Sequence, residues 1–460
     1  MSAEAGSNML IFTSFTFFVL FGVCSVLQVL AHRARKNESV GNNPQFLKFQ
    51  RTYFAAYLLA MFADWLQGPY LYKLYSYYGF LEPQIAVLYV FGFAASVIFG
   101  TWTPIAADNF GRKKLCLFFT IVYSLSCFLK LSRSYGILII GRILGGLATS
   151  VLFSAFEAWY IHEHLETHDF PKEWISVTFA KASFWNGIMA VIAGISTNIV
   201  SEWFGLGPVA PYMLAVPFLI FAGIIVSTHW NENSAIHKVK FRKQCGEGFK
   251  KIVTQEEIFM IGAVESLYES VIYITIFLWT PILEPGKPAL GIVFSSFMIS
   301  ILIGQAFFQI VIAKKVMSVS ILLLISIFIA FTANIILVIS THPKNQMFDL
   351  SYAALILFQV GVGLYFPSMG FLRSHIIPDT HRWSIINWFR VPINIIACIV
   401  LMLLHEDVFQ HGNGMIFVVC VVLLFLAILS GFRLHTISKN HDGLQQEAAW
   451  LESDHIVNIF

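Results

Sequence analysis

Thirteen apolar runs of about twenty residues each recur along this chain, and a run of that length matches the hydrocarbon thickness of a bilayer when it is helical. In hydrocarbon no water is present to satisfy backbone N–H and C=O groups, so repeated runs of this kind leave a helical bundle as the available fold. The runs cover 9–31, 50–75, 85–105, 115–131, 136–160, 174–200 and 211–228, then 258–283, 290–313, 319–340, 350–370, 383–405 and 415–434. With 57% hydrophobic and only 12% charged residues among 460, little sequence is left for a soluble domain. The fold class expected is an all-α membrane protein with two six-helix bundles and one extra N-terminal helix. Its segments are 1–49 for the extra helix and a basic loop, 50–230 and 258–435 for the bundles, 231–257 for a basic linker, and 436–460 for a tail.

Nothing basic precedes the first run, whereas Arg33, Arg35 and Lys36 follow it, so it reads as an uncleaved helix with its N-terminus outside. Cytoplasmic loops carry an excess of Lys and Arg. Here one side receives Lys48 and Arg51, then Arg112, Lys113 and Lys114, the linker cations Lys238 to Lys251, Lys314 and Lys315, and Arg373 and Arg382. The other receives little beyond Lys130, Arg133, Lys287 and Lys344. The cation-rich side and the C-terminus are therefore expected in the cytosol, which also places the sequon Asn37-Glu-Ser39 there, unmodified. The six cysteines, Cys24, Cys116, Cys127, Cys245, Cys398 and Cys420, fall in apolar runs or the basic linker and read as small buried hydrophobes, not a disulfide framework.

A faint internal repeat accompanies the six-plus-six layout. Trp65-Leu-Gln-Gly-Pro69 followed by Leu81-Glu-Pro83 parallels Trp279-Thr-Pro281 followed by Leu283-Glu-Pro285, and WISVTFAK (174–181) aligns without gaps over WSIINWFR (383–390). The loop ADNFGRKKL, Ala107 to Leu115, resembles the hydrophilic signature of the major facilitator superfamily, with Asp108, Gly111, Arg112 and Lys113 as gating residues. Pro104 replaces the usual Gly four residues before the Asp, and the second half retains only Ala313-Lys-Lys315. Arg142-Ile-Leu-Gly-Gly146 is similar to that superfamily's Arg-and-Gly motif, where small residues let helices approach. ADWLQGPYLYKLY from Ala63, FSAFEAWYIHEH from Phe153, GLGPVAP from Gly205, and GLYFPSMGFLR followed by NWFRVP resemble the molybdate-anion transporter group of the superfamily over nearly the whole chain. That resemblance implies a multi-pass plasma membrane protein taking up molybdate by alternating access, with the extra N-terminal helix as part of the pattern.

Charge inside a span is costly and marks candidate sites. Arg390 lies about two turns into its run and Lys181 at the matching depth in the other half, so the two form a candidate clamp for a tetrahedral oxyanion. Asn186, Asn387, Trp388 and Trp65 are candidate neighbours of the substrate. The alternative for each cation is a pair with a carboxylate such as Glu157, or snorkelling to the interface. Arg142 is assigned a structural or coupling role, and Asp64, Glu265 and Glu269 either couple transport to protons or neutralise the cations. His162-Glu-His164 with His168 lies in a short loop without further ligands, so no metal site is expected, and no cofactor. No GxxxxGK loop occurs and no hydrolase or zinc-protease motif, which argues against ATP-driven pumping and against an enzyme. The expected partners are a small inorganic anion and the lipid bilayer, with no nucleic acid, for a chain acting as a monomer. Two other readings stay open: a carrier for another solute, an organic anion or a sugar, and a nontransporting sensor or scaffold.

Overall fold

The computed structural model describes residues 2–34, 43–233, 241–344, 346–378, 381–405 and 414–440, and within these the regular structure is helical throughout. The sequon at Asn37, the linker cations Lys238 and Lys240, and the tail beyond 440 lie outside the described residues. In chain order the helices are α1 (Ser2–Ala34), α2 (Pro44–Trp65), the short α3 (Leu71–Tyr77), α4 (Glu82–Phe110), α5 (Arg112–Leu129), α6 (Tyr135–His162), α7 (Glu173–Asn198) and α8 (Ala210–His229). They continue with α9 (Phe241–Thr254), α10 (Glu256–Leu283), α11 (Leu290–Ala313), α12 (Val319–Ser340), α13 (Phe348–Ile376), α14 (Arg382–Met402) and α15 (Gly414–Asn440). Eleven of these are long and apolar enough to cross a membrane. The other two long helices expected to span are α2, which carries Lys48, Arg51 and Asp64, and α5, which opens on Arg112-Lys113-Lys114.

Local chemistry sets the helix ends. Asn43 caps α2 by accepting from the Gln45 and Phe46 amides, with Pro44 at the first helical position, where its missing N–H costs nothing. Between α4 and α5 the chain turns at Gly111, whose φ of +98° suits a residue without Cβ. Pro217, Pro281, Pro367 and Pro392 lie inside α8, α10, α13 and α14, where a membrane helix tolerates them.

The chain forms two compact units, Ser39–Phe241 and Met1–Glu38 with Arg242–Phe460. Each unit packs its six long helices by the same scheme: the first against the fifth and sixth, the second against the fourth, and the third against the fourth and sixth. In the first unit this gives α2 on α7 and α8, α4 on α6, and α5 on α6 and α8. In the second it gives α10 on α14 and α15, α11 on α13, and α12 on α13 and α15. The faint sequence repeat is thus a repeat of packing. The extra helix α1 belongs to the second unit, where it lies on α11, with Gln28 Nε2 donating to the Leu302 carbonyl at 3.3 Å and Phe12 edge-on to Tyr352.

The segment read as a linker contains α9, which docks on the start of α14. His381 Nε2 lies 3.2 Å from Glu247 Oε2, and a Cβ on Gly248 would strike the Ser384 side chain. Cys24, Cys116, Cys127 and Cys420 are buried free thiols, as expected, and Cys398 is a half-buried one; the Cys245 side chain lies outside the described residues.

Candidate functional site

Lys181 stands eight residues after Glu173, the start of α7, and Arg390 eight residues after Arg382, the start of α14. At 1.5 Å per residue each lies about 12 Å along the fifth long helix of its unit. The two therefore stand at matching positions along their own helices, and both side chains are exposed.

In the unit Ser39–Phe241, Lys181 Nζ donates to Gln50 Oε1 on α2 at 3.3 Å. Among the described residues no carboxylate pairs with it. Glu157, the partner weighed from sequence, is exposed on α6 and bears electrostatically on Tyr53 and Tyr57 instead. Two other candidates meet: the Trp65 indole N–H donates to Asn186 Oδ1 at 2.8 Å, joining α2 to α7. Asp64 accepts from the Tyr123 hydroxyl on α5. Arg142 donates from Nε to the Leu88 carbonyl at 3.1 Å and lies 5.1 Å from the Tyr89 ring centre, which ties α6 to α4. Lys130, which the sequence assigns to a loop, is buried: its ammonium donates to Gln67 Oε1 at 3.2 Å and Ser126 Oγ at 3.1 Å, and lies 5.0 Å from the Tyr212 ring centre.

The second unit handles its charges differently. Glu265 and Glu269 sit one turn apart on α10, and Arg373 Nη1 donates to Glu265 Oε1 at 2.9 Å. Glu265 is 2% exposed and Arg373 25%, so the carboxylate end of this ion pair is the buried one. Glu269 accepts from the Tyr365 hydroxyl at 3.3 Å, and the Tyr365 ring stacks on Tyr268 at 4.1 Å. Arg390 acts on both carboxylates at longer range, and its backbone carbonyl accepts from Asn394 Nδ2 at 2.8 Å. The direct partner of Glu265 was missed from sequence because Arg373 falls beyond the apolar core of its run. A span of 29 residues for α13 brings it within reach. Asn387 is buried, and its Nδ2 makes no hydrogen bond among the described residues. Trp388 faces Phe249 of α9 with ring centres 5.0 Å apart.

The loop read from sequence as a gate meets the end of α8. Glu232, just past α8, accepts from the backbone amides of Lys113 at 3.0 Å and Lys114 at 3.2 Å, capping the N-terminus of α5. Lys113 Nζ donates to the Ser227 carbonyl, and the Arg112 amide to the Asn233 carbonyl. The Asp108 side chain lies outside the described residues. Of the histidine cluster, His164 engages both ring nitrogens, one with Tyr160 and one with the Pro171 carbonyl.

A family model described as sugar transporters with 12 TM matches residues 15–357. The chain is 42% identical over 436 residues to the molybdate-anion transporter of Xenopus tropicalis, covering 93% of this chain and 96% of that protein. It is 40% identical over 467 residues to the protein of the same name from Takifugu rubripes, covering 95% and 97%. Among solved structures, the fold is similar to a mutant of the nucleoside transporter NupG at TM-score 0.65 and 14% identity, covering 84% of this chain and 99% of that one. It is also similar to an auto-inhibited peptide transporter of the POT family at TM-score 0.67 and 9% identity, covering 86% and 97%.

Proposed function

Because this chain belongs to the molybdate-anion transporter family of the major facilitator superfamily, we propose that it carries molybdate into the cell by alternating access. The observation that carries the substrate is the identity of 40 to 42% over almost the full length of proteins bearing that name. The proposed residence is the plasma membrane, with the N-terminus outside and the C-terminus in the cytosol, supported by the distribution of Lys and Arg among the loops.

In this reading Lys181 of α7 and Arg390 of α14 are the candidate anion ligands, each considered within its own unit. A guanidinium offers a fork of donors matched to two oxygens of a tetrahedral anion, and an ammonium offers a compact charge. Trp65 and Asn186 shape the Lys181 side, and Asn387 offers a free amide near Arg390. Glu265 has Arg373 as its direct partner. Glu269 has a tyrosine as its direct donor and shares the field of Arg390, so a proton on Glu269 would free Arg390 for the anion. Cotransport with protons follows from that competition.

The test is molybdenum accumulation, measured by mass spectrometry in cells expressing wild-type protein, Arg390→Ala or Glu269→Gln at matched surface amounts, at two external pH values and with sulfate as competitor. We expect Arg390→Ala to lower uptake by tenfold or more, as loss of a charged hydrogen bond worth about 1.5–3 kcal/mol requires. Wild-type uptake should rise as external pH falls, and Glu269→Gln should flatten that response. Well-localised wild-type protein that accumulates no molybdenum but takes up labelled sugar would replace molybdate by the substrate class in the family description.

A further inference from the structure

Lys181 is the outer end of a hydrogen-bonded chain that runs into the protein. Its Nζ donates to Gln50 Oε1 at 3.3 Å, and Gln50 Nε2 donates to Thr178 Oγ1 at 2.7 Å. Thr178 Oγ1 lies 2.6 Å from the Tyr160 hydroxyl, which lies 3.2 Å from His164 Nδ1, and His164 Nε2 meets the Pro171 carbonyl at 2.9 Å. Gln50 is 4% exposed, and Thr178, Tyr160 and His164 are fully buried. Phe49 stacks on Tyr160 at 4.9 Å and Phe46 packs on Trp174 at 4.8 Å, which helps seal the chain from water.

The two ends fix the sense of each bond. A carbonyl accepts and never donates, so His164 carries a proton on Nε2 and, in its neutral form, accepts at Nδ1. Tyr160 then donates to His164, Thr178 to Tyr160 at 2.6 Å in preference to the Trp174 carbonyl at 3.4 Å, Gln50 to Thr178, and Lys181 to Gln50. The Gln50 amide is thereby pinned with its oxygen toward Lys181. Turned over, it would present an NH₂ group to an ammonium.

A neutral partner is the unusual part of the arrangement. A carboxylate would also hold the ammonium, but it would cancel the charge, as Glu265 does for Arg373 in the other unit. An amide oxygen orients the cation and leaves its charge available. We propose that Gln50 is a positioning residue that holds Lys181 for an oxyanion without neutralising it; the proposal rests on the reading of Lys181 as an anion ligand. The chain through Thr178, Tyr160 and His164 serves to keep the amide from turning.

The experiment compares KM and maximal rate of molybdate uptake for wild type, Gln50→Glu, Gln50→Leu and Lys181→Ala at matched surface amounts. Gln50→Glu keeps the shape, exchanges the amide donor to Thr178 for a second carboxylate oxygen and adds an ion pair to Lys181, so KM should rise about tenfold while the maximal rate stays within about twofold. Gln50→Leu breaks two hydrogen bonds but leaves Lys181 charged, so its KM should rise less, about threefold. That order distinguishes charge preservation from support of the fold, because loss of structural support makes leucine the worse substitution. If Gln50→Leu proves the worse in KM, or neither variant moves it while Lys181→Ala still does, the role of Gln50 is overturned and Lys181 stands. If Lys181→Ala leaves KM unchanged, the anion-ligand reading falls and takes this proposal with it. Should Gln50→Leu fail to reach the surface, the isosteric Gln50→Glu decides alone, with an unchanged KM overturning the proposal.

Discussion

At the scale of single residues, Gly111 shows how much one position can carry. Its φ of +98° excludes a side chain on conformational grounds, and a Cβ there would stand 2.4 Å from Glu232 Oε1. Two penalties therefore coincide: backbone strain of roughly 1–3 kcal/mol and displacement of the carboxylate that caps α5, worth about 1 kcal/mol. Gly111→Ala should lower the thermal midpoint of the detergent-solubilised protein, and Glu232→Ala should lower it less. Because the alanine side chain already pushes the carboxylate away, the double variant should be less destabilised than the two single effects combined; full additivity in melting curves would rule out the shared contact. The sequence pointed to Gly111 through its motif. It gave no sign of Glu232, because a cap supplied across 119 residues leaves no local spacing to read. The same holds for Gln50, which lies 131 residues from Lys181 and looks from sequence like any polar residue near a membrane interface.

Between elements, glycines mark the crossing of the second and fourth long helices in both units. In the first unit a Cβ on Gly146 of α6 would lie 2.6 Å from the Gly92 carbonyl of α4, and Ser150 Oγ donates to the Ser96 carbonyl across the same contact at 2.9 Å. In the second unit a Cβ on Gly363 of α13 would run into the Ile301 carbonyl of α11, as one on Gly304 would into Val360. Small residues at these crossings let backbones touch, which drives association where lipid offers no hydrophobic gain. Two of the four glycines of α6, Gly146 and Gly136, should answer alanine differently. Gly146→Ala should cost about 1–3 kcal/mol through overpacking against backbone that cannot yield. Gly136→Ala, with open space around it, should be neutral or stabilise by up to about 1 kcal/mol. Thermal shift of the two variants in one detergent separates them, and equal shifts would refute the close crossing. The Arg142-to-Gly146 motif made this packing legible, whereas nothing in the sequence of α11 announced its counterpart.

For the whole molecule, order along the chain and membership of a unit part company at α1. The first helix is followed directly by the unit Ser39–Phe241, yet it packs with the unit that begins about 200 residues later. A chain starting at Asn43 should therefore expose protease sites preferentially in 242–460, with the 43–241 fragment surviving; preferential loss of 43–241 in a limited digest would contradict the assignment. Hydrophobic run length by itself determined that this is a helical membrane protein with a six-plus-six layout, since hydrocarbon admits few other backbones and the period is written locally. The sequence also singled out Lys181 and Arg390, because a charge inside an apolar run is conspicuous wherever it occurs. Only the tertiary structure decided what surrounds those charges, an amide oxygen bonded to Lys181 and, for Arg390, the longer-range field of the two carboxylates beside Arg373. Partners are chosen by helix crossings between segments more than a hundred residues apart, and the free energy of a buried charge depends on what those crossings bring beside it.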